Sequence, residues 1–455
     1  VDGLKTSLRK ILFTSFKRRL TNEIKVAQFS GSVSELSCYH HGENSLNGAI
    51  VGMAQNFVGS NNINLLEPNG QFGTRLQGGS DSASERYIHT NLNKITRLIF
   101  PEADDYVLKY LDDDGTPVEP IYYVPIIPMI LVNGSKGIGT GFSTDIMCYN
   151  PVDLINYIKC YLNNSELPAL TPYYEGFKGT IEQIDDKKWL IKGCYEVIND
   201  KKIRVTELPI GIWTDDYKKY IEELIDCGDK KKSKKDSYVK DYTDMSTDVT
   251  VDITITFNEG KIDELQSKQC DYNCNSLEKL LKMYVTKSTN NMHMFDENEK
   301  LKKYDNVVDI IDHYINVRRM VYVERKEYQL KILEQEAKLL SNKARFINEI
   351  LNDEIDLRRK TKEMVIELLT TKKYDKIEND EEYKYLVRLP MDSVTEENYN
   401  KLMKEKEDKI QALNILTKKD IKSIWLEELE SLLTSYTLHK NSREKKKQKI
   451  TIKKK

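Results

Sequence analysis

The chain has 455 residues, of which 70 are Lys or Arg and 72 are Asp or Glu, for a formal net charge of −2. That length exceeds one hydrophobic core, so two to four domains are expected, and the near-neutral total excludes a uniformly basic nucleic-acid binder but not a chain whose charges are segregated. No apolar run reaches the ~20 residues of a membrane helix, so no membrane partner is expected, and seven scattered cysteines argue against a disulfide scaffold and for a reducing compartment.

The chain opens at Val1 in mid-motif, without a methionine, and is expected to be part of a longer polypeptide. Residues 1–120 read as a compact helical domain. Leu46, Ile50, Met53 and Phe57 fall on one face at helical spacing, with Asn44, Asn47 and Gln55 off that face. A short helix followed by Gly59-Ser60-Asn61-Asn62 and a glycine loop fits a winged-helix module whose helix reads nucleic acid. An ordinary amphipathic core helix fits the same spacing.

Between Gln71 and Tyr87 lies a glycine- and serine-rich stretch that ends in Arg86-Tyr87. Such a loop exposes backbone N–H groups to an anionic ligand. Arg86 sets a permanent cation beside a tyrosine, and a tyrosine oxygen is a covalent nucleophile. Together they point to attack on a phosphodiester. A phenol of pKa ~10 needs a nearby cation or a base to react at neutral pH.

Residues 121–302 alternate short β-like runs with turns. The apolar stretch near 122–132, broken by Pro125 and Pro128, reads as a buried strand pair. Ile203–Thr206 and Val249–Phe257 alternate as strands do. The basic run Lys230–Lys235 reads as a solvated loop or a phosphate contact. Cys270 and Cys274 lack a second pair at zinc-finger spacing, so no metal ligands are expected in this chain.

No proline falls in 210–389, and none follows Pro390. Residues 303–435 accordingly read as long helices. Tyr328, Ile332, Leu339, Phe346 and Ile350 step by four, seven, seven and four, a coiled-coil seam. A second helix begins near Thr395, with Glu396 and Glu397 suited to its first turn and Tyr399, Leu402, Ile410, Leu413 and Leu416 as its stripe. The expectation is an antiparallel coiled coil carrying a small knob at about 351–390; a simple helical bundle is the plainer reading. Residues 436–455 form a basic tail that cannot fold alone, suited to nucleic acid or to nuclear import.

Several ordered motifs now carry a resemblance. Tyr39-His40-His41-Gly42-Glu43, Ala54–Ile63, Gln71-Phe72-Gly73-Thr74-Arg75, Arg86-Tyr87, Pro125–Gly134, Gly137–Gly141, Gly176–Ile181 and Thr206–Gly211 resemble, in this order, the DNA breakage-and-rejoining region of eukaryotic-type DNA topoisomerase II. The resemblance covers roughly the first two-thirds of the chain and fades to periodicity beyond about Lys303. It implies an α+β multidomain fold: a winged-helix domain, an α/β tower and a long antiparallel coiled coil ending in an exit-gate knob. It also implies a homodimer acting on two DNA duplexes in the nucleus. Tyr87 would form a 5′-phosphotyrosine, with Arg86 and His41 at the scissile phosphate. Ile138, framed by glycines, would wedge between base pairs; a buried turn isoleucine is the alternative.

The family reads Lys-Pro-Gly or Lys-Pro-Ser, then Gln-Arg-Lys, where this chain has Lys5-Thr6-Ser7-Leu8-Arg9-Lys10. The missing proline and glutamine put that loop's geometry in question, while Lys5, Arg9 and Lys10 remain as DNA contacts, with Gln71 and Arg75. A further catalytic arginine, the acidic Mg²⁺ module and the ATPase module are implied upstream, so Mg²⁺ and ATP would be bound outside this chain. Two alternatives remain. The bacterial relative, the gyrase or topoisomerase IV protein that carries the same tyrosine chemistry, has a His-Pro-His-Gly motif that Tyr39–Glu43 does not match. A non-catalytic DNA-binding scaffold would not need Arg86 and Tyr87 together.

Overall fold

The computed structural model describes residues 1–231, 238–377, 380–390 and 393–453. It falls into two compact units, Val1–Arg318 with Leu426–Lys455, and Arg319–Trp425. Lys232–Lys235 of the expected basic loop lie outside the described residues.

The first unit begins with α1 (Thr6–Lys17), strand β1 (Ile24–Lys25), α2 (Val26–Ser37) and α3 (Glu43–Ala54). Their apolar faces meet: Ile11, Leu12, Phe16, Phe29, Val33, Leu46 and Ile50 are buried. The spacing of Leu46, Ile50 and Met53 therefore marks the core side of α3, and Glu43 suits the dipole of its first turn. Asn47 departs from the expectation: it is buried, and its Oδ1 has no hydrogen-bond partner. Strand β2 (His89–Thr90) pairs with β1 and ties the loop after α3 back to the start of α2.

Next come α4 (Thr96–Ile99), the hairpin β3 (Tyr110–Asp113) and β4 (Thr116–Pro120), and α5 (Met129–Asn133). The apolar run near 122–132 is buried as expected, but it is not a strand pair. It is a loop that turns into the short α5, with Pro128 at its N-cap. Pro125 and Pro128 have no N–H to give a ladder, so the run buries side chains without pairing strands. The hairpin β5 (Ser135–Ile138) and β6 (Ser143–Ile146) and helix α6 (Pro151–Leu162) follow.

Two antiparallel sheets complete this unit. One orders β11 (Val239–Asp244), β12 (Ile253–Phe257), β10 (Lys202–Glu207) and β9 (Cys194–Asn199); the other orders β13 (Tyr284–Ser288), β8 (Lys188–Lys192) and β7 (Thr180–Asp185). Ile203 and Val205 alternate inward and meet Ile253, Ile255 and Phe257, roofed by Tyr217 and Ile221 of α7 (Thr214–Lys231). The strand expected from Val249 pairs with β10 only from Ile253 to Thr256. Upstream, the Thr247 hydroxyl accepts the N–H groups of Val249 and Thr250 and makes a turn instead. Helices α8 (Lys261–Gln266) and α9 (Ser276–Leu280) and the hairpin β14 (His293–Phe295) with β15 (Leu301–Lys303) lead to the long helices.

Helix α10 (Val307–Leu351) has 45 residues, about 68 Å of α-helix. It is followed in the chain by α11 (Lys362–Thr371), α12 (Lys384–Val387), α13 (Glu396–Lys418) and α14 (Ile421–Lys453). Lys326 donates to the carbonyls of Thr417 and Lys419 at 3.2 and 2.6 Å, and Glu336 pairs with Lys409 at 2.6 Å. Moving forward along α10 thus moves backward along α13, and the two run antiparallel. Thr395 caps α13 by accepting Asn398 N–H at 3.2 Å. Between them, Ile355, Val365, Leu369, Tyr374, Tyr383 and Leu386 close a separate small core with Phe346.

The segment read as a basic tail starts inside α14, which continues to Lys453. In the first unit its turns have partners. Tyr436 donates to Glu175 at 3.0 Å, Lys440 donates to the Tyr173 hydroxyl at 3.1 Å, and Arg443 donates to the carbonyls of Asn62 and Asn56 at 2.8 and 2.6 Å. Among the described residues no helix is long and apolar enough to cross a membrane.

Candidate functional site

The first turn of any α-helix has N–H groups without intrahelical acceptors. In α2 two of these are taken by the Tyr87 loop: Val26 donates to Ile88 O at 3.0 Å and Ala27 to Glu85 O at 3.2 Å. Tyr87 N–H closes a turn on Ser84 O at 2.9 Å. Ile88 is buried, whereas Tyr87 is 78% exposed. Arg86, between them and Glu85, is exposed as well. The backbone is thus fixed on both sides of a phenol that faces solvent, as attack on a macromolecular substrate requires.

The glycine-rich loop before it is not an open cradle for an anion. Asp81 accepts Thr74 N–H at 2.8 Å and the Thr74 hydroxyl at 2.6 Å, and Gln55 donates to Phe72 O at 2.9 Å. At Gly73 (φ 93°) an added Cβ would lie 2.5 Å from Gly79 Cα, and at Gly78 (φ 62°) 2.4 Å from the Trp213 indole. These glycines serve close packing of the loop on itself and on Trp213.

Two expected DNA contacts are corrected by burial. Arg75 is buried and ion-paired with buried Glu207, whose carboxylate also accepts Leu208 N–H at 3.0 Å. Lys10 is buried and donates to Glu119 at 2.9 Å and to Ser37 O at 2.5 Å. Both charges are satisfied within the protein. Arg9 is half-buried, with Asp2 at 2.8 Å and Leu4 O at 3.0 Å. Lys5 and Gln71 are exposed.

Ile138 ends β5 with 92% of its surface exposed, which rules out the buried-turn alternative. The structure brings Lys5, Arg9 and Ile138 to the rim of one cleft of about 360 Å³, with Phe142, His293 and Phe295. The last three were not legible as site residues: Phe295 lies 157 positions after Ile138 and belongs to no motif.

His41 sits elsewhere. Its ring lies 4.4 Å from that of His40 and 5.4 Å from that of Tyr39. This loop follows the left-handed C-cap of α2 at Cys38, while the Tyr87 loop is held at the N-terminus of the same 12-residue helix. The two anchors are about 18 Å apart along its axis. The His41 loop and the Tyr87 loop are thus anchored at opposite ends of α2.

Asp112, Asp113 and Asp114 stand exposed at a hairpin turn, with Asp112 accepting Gly115 N–H at 2.7 Å. Among the described residues no group of three or more His, Cys, Asp or Glu is arranged to hold a metal.

The mixed α/β fold and the ordered motifs define a class. The DNA gyrase/topoisomerase IV family, in its A-type protein, matches residues 1–430, and the chain belongs to it. Two similar relatives are DNA topoisomerases 2 of eukaryotes. DNA topoisomerase 2 of Caenorhabditis elegans is 40% identical, over 100% of this chain and 32% of that protein. The mitochondrial DNA topoisomerase 2 of Dictyostelium discoideum is 42% identical, over 95% of this chain and 33% of that protein. The crystal structure of the Plasmodium falciparum topoisomerase II DNA-binding, cleavage and re-ligation domain superposes with a TM-score of 0.87 at 38% identity, covering 98% of this chain and 62% of that one. The chain thus spans about a third of the length of the two relatives named.

Proposed function

We propose that this chain is the breakage-and-rejoining part of a type IIA DNA topoisomerase, with Tyr87 as nucleophile. The observation that carries the reading is a phenol exposed to solvent on a loop clamped to α2, with exposed Arg86 beside it, in a chain of this family. The Tyr87 oxygen attacks phosphorus and loses its proton; the bond from phosphorus to the 3′ oxygen breaks, and that oxygen takes up a proton. The strand stays attached as a 5′-phosphotyrosyl ester, so the reverse attack reseals it with no external energy. Arg86 supplies a cation for the charge that builds on the non-bridging oxygens.

His41 is proposed to act on the same phosphate. With their anchors at the two ends of α2, a site that draws them from two copies is the proposed arrangement. A homodimer also fits the need to cut both strands of one duplex before a second passes. Residues 1–120 would be the winged-helix domain, the two sheets the tower, and α10 with α13 the coiled coil that carries the exit-gate knob. Lys5 and Gln71 would track the backbone, and Ile138 would enter the base stack. Mg²⁺ and ATP would be bound by other parts of the full protein. The nucleus is the proposed compartment, on the strength of the eukaryotic relatives; one relative is mitochondrial.

The test is Tyr87→Phe in the intact protein, which removes one oxygen. Denaturing the protein on end-labelled duplex should trap a covalent complex with the parent and none with the variant, while both still bind DNA. A variant that traps as much DNA as the parent would refute the assignment.

A further inference from the structure

A side chain that unstacks a base step works against base stacking, and a lone two-stranded ribbon is marginally stable in water. The hairpin that presents Ile138 has only four residues in each strand. It is not alone. Asp145 N–H donates to Asn291 O at 2.7 Å, and the Thr144 hydroxyl donates to His293 O at 2.5 Å. His293 Nδ1 lies 3.2 Å from the carbonyl of Ser143, the residue that faces Ile138 across the ladder. At the tip, Gly139 N–H donates to Phe142 O at 2.9 Å. The Phe142 ring folds over Gly139, where an added Cβ would meet it at 2.6 Å. That ring meets Phe295 edge-on at 6.2 Å and lies 6.3 Å from the His293 ring.

Phe295 is 55% exposed. Its ring contact is with the wedge hairpin. Edge-to-face pairs of this kind stabilise beyond the area they bury.

We propose that the β14 segment His293–Phe295 is a buttress for the hairpin, and that Phe295 and His293 are positioning residues that hold Ile138 upright against DNA. The inference rests on the reading of Ile138 as a wedge. The polar contacts of Asn291 and His293 fix the ribbon's root, and the Phe142–Phe295 pair fixes its tip. Without the pair the hairpin yields, and the duplex stays straighter although the phosphate contacts are intact.

The experiment measures the bend of a duplex labelled at both ends by fluorescence energy transfer, using the intact protein and four variants. Ile138→Gly and Phe295→Ala should each lower the bend, with the slope of log affinity against log salt unchanged. Phe295→Tyr, which keeps the ring, should restore it. The double variant Ile138→Gly/Phe295→Ala should bend no less than Ile138→Gly alone, because Phe295 acts through Ile138. A parental bend in Phe295→Ala, or a further loss in the double variant, would overturn the buttress while leaving the wedge standing. A parental bend in Ile138→Gly would overturn the wedge and the buttress together. If Phe295→Ala does not fold, Phe295→Leu decides: it keeps apolar volume without the ring edge and should lower the bend, and an unchanged bend counts against the proposal.

Discussion

Lys5, Lys10 and Arg75 bear the same charge, and the sequence offers no means of ranking them. Burial ranks them. The partners that neutralise Lys10 and Arg75 are Glu119 and Glu207, 109 and 132 positions away, so neither pairing shows in a local motif. Tyr87 and Arg86 were legible as candidates because their chemistry is local, and the structure leaves both exposed. The glycines were misread for a related reason: a need for close approach looks the same whether a phosphate or an indole approaches. Arg75→Ala would leave the Glu207 carboxylate buried without its cation, a loss of about 3–5 kcal/mol. The expected outcome is a markedly lower melting temperature with an unchanged salt dependence of DNA binding. A salt slope reduced by about one, with stability retained, would mean that Arg75 does reach a phosphate.

Helices over 303–435 were legible because 3.6-residue periodicity persists over many turns and no proline interrupts it before Pro390. Short elements were not: the run near 122–132 has strand composition, but its two prolines make it a loop and a helical turn. Within the second unit, the small core around Leu369 is tied to α10 by Glu349. Arg345 reaches Glu349 at 2.7 Å and Lys372 reaches it at 2.9 Å. Burial opposes ionisation of Glu349, but these cations outweigh it and hold its carboxyl below the usual carboxylate range. A pKa lowered in the folded state stabilises above the unfolded value, about 4.3, and that stabilisation is lost as pH falls through the folded value. Amide protection at Val365 and Leu369 should therefore fall on acidification below about pH 4. Glu349→Gln should flatten this dependence. Unchanged pH dependence in that variant would remove Glu349 from the account.

On the scale of the molecule, the sequence placed the helical start, the strand-rich middle and the long helices in the right order. It missed the closing of the chain on its own beginning. Arg443 of α14 binds the carbonyls of Asn62 and Asn56, 381 and 387 positions earlier, and no residue pattern announces a contact between an arginine and backbone oxygens. Likewise, His41 and Tyr87 stand in adjacent motifs, yet α2 keeps their anchors at its two ends. The fold nevertheless leaves the Tyr87 phenol open to solvent, and the central claim is that this oxygen carries the broken strand. The chain has 27 tyrosines, so the claim is specific. The most direct measurement is tandem mass spectrometry of the trapped protein–DNA complex after nuclease and protease digestion. The account expects a nucleotide joined through its 5′-phosphate to Tyr87 in the peptide that holds Arg86; a nucleotide on any other residue, or one joined through its 3′-phosphate, would contradict it.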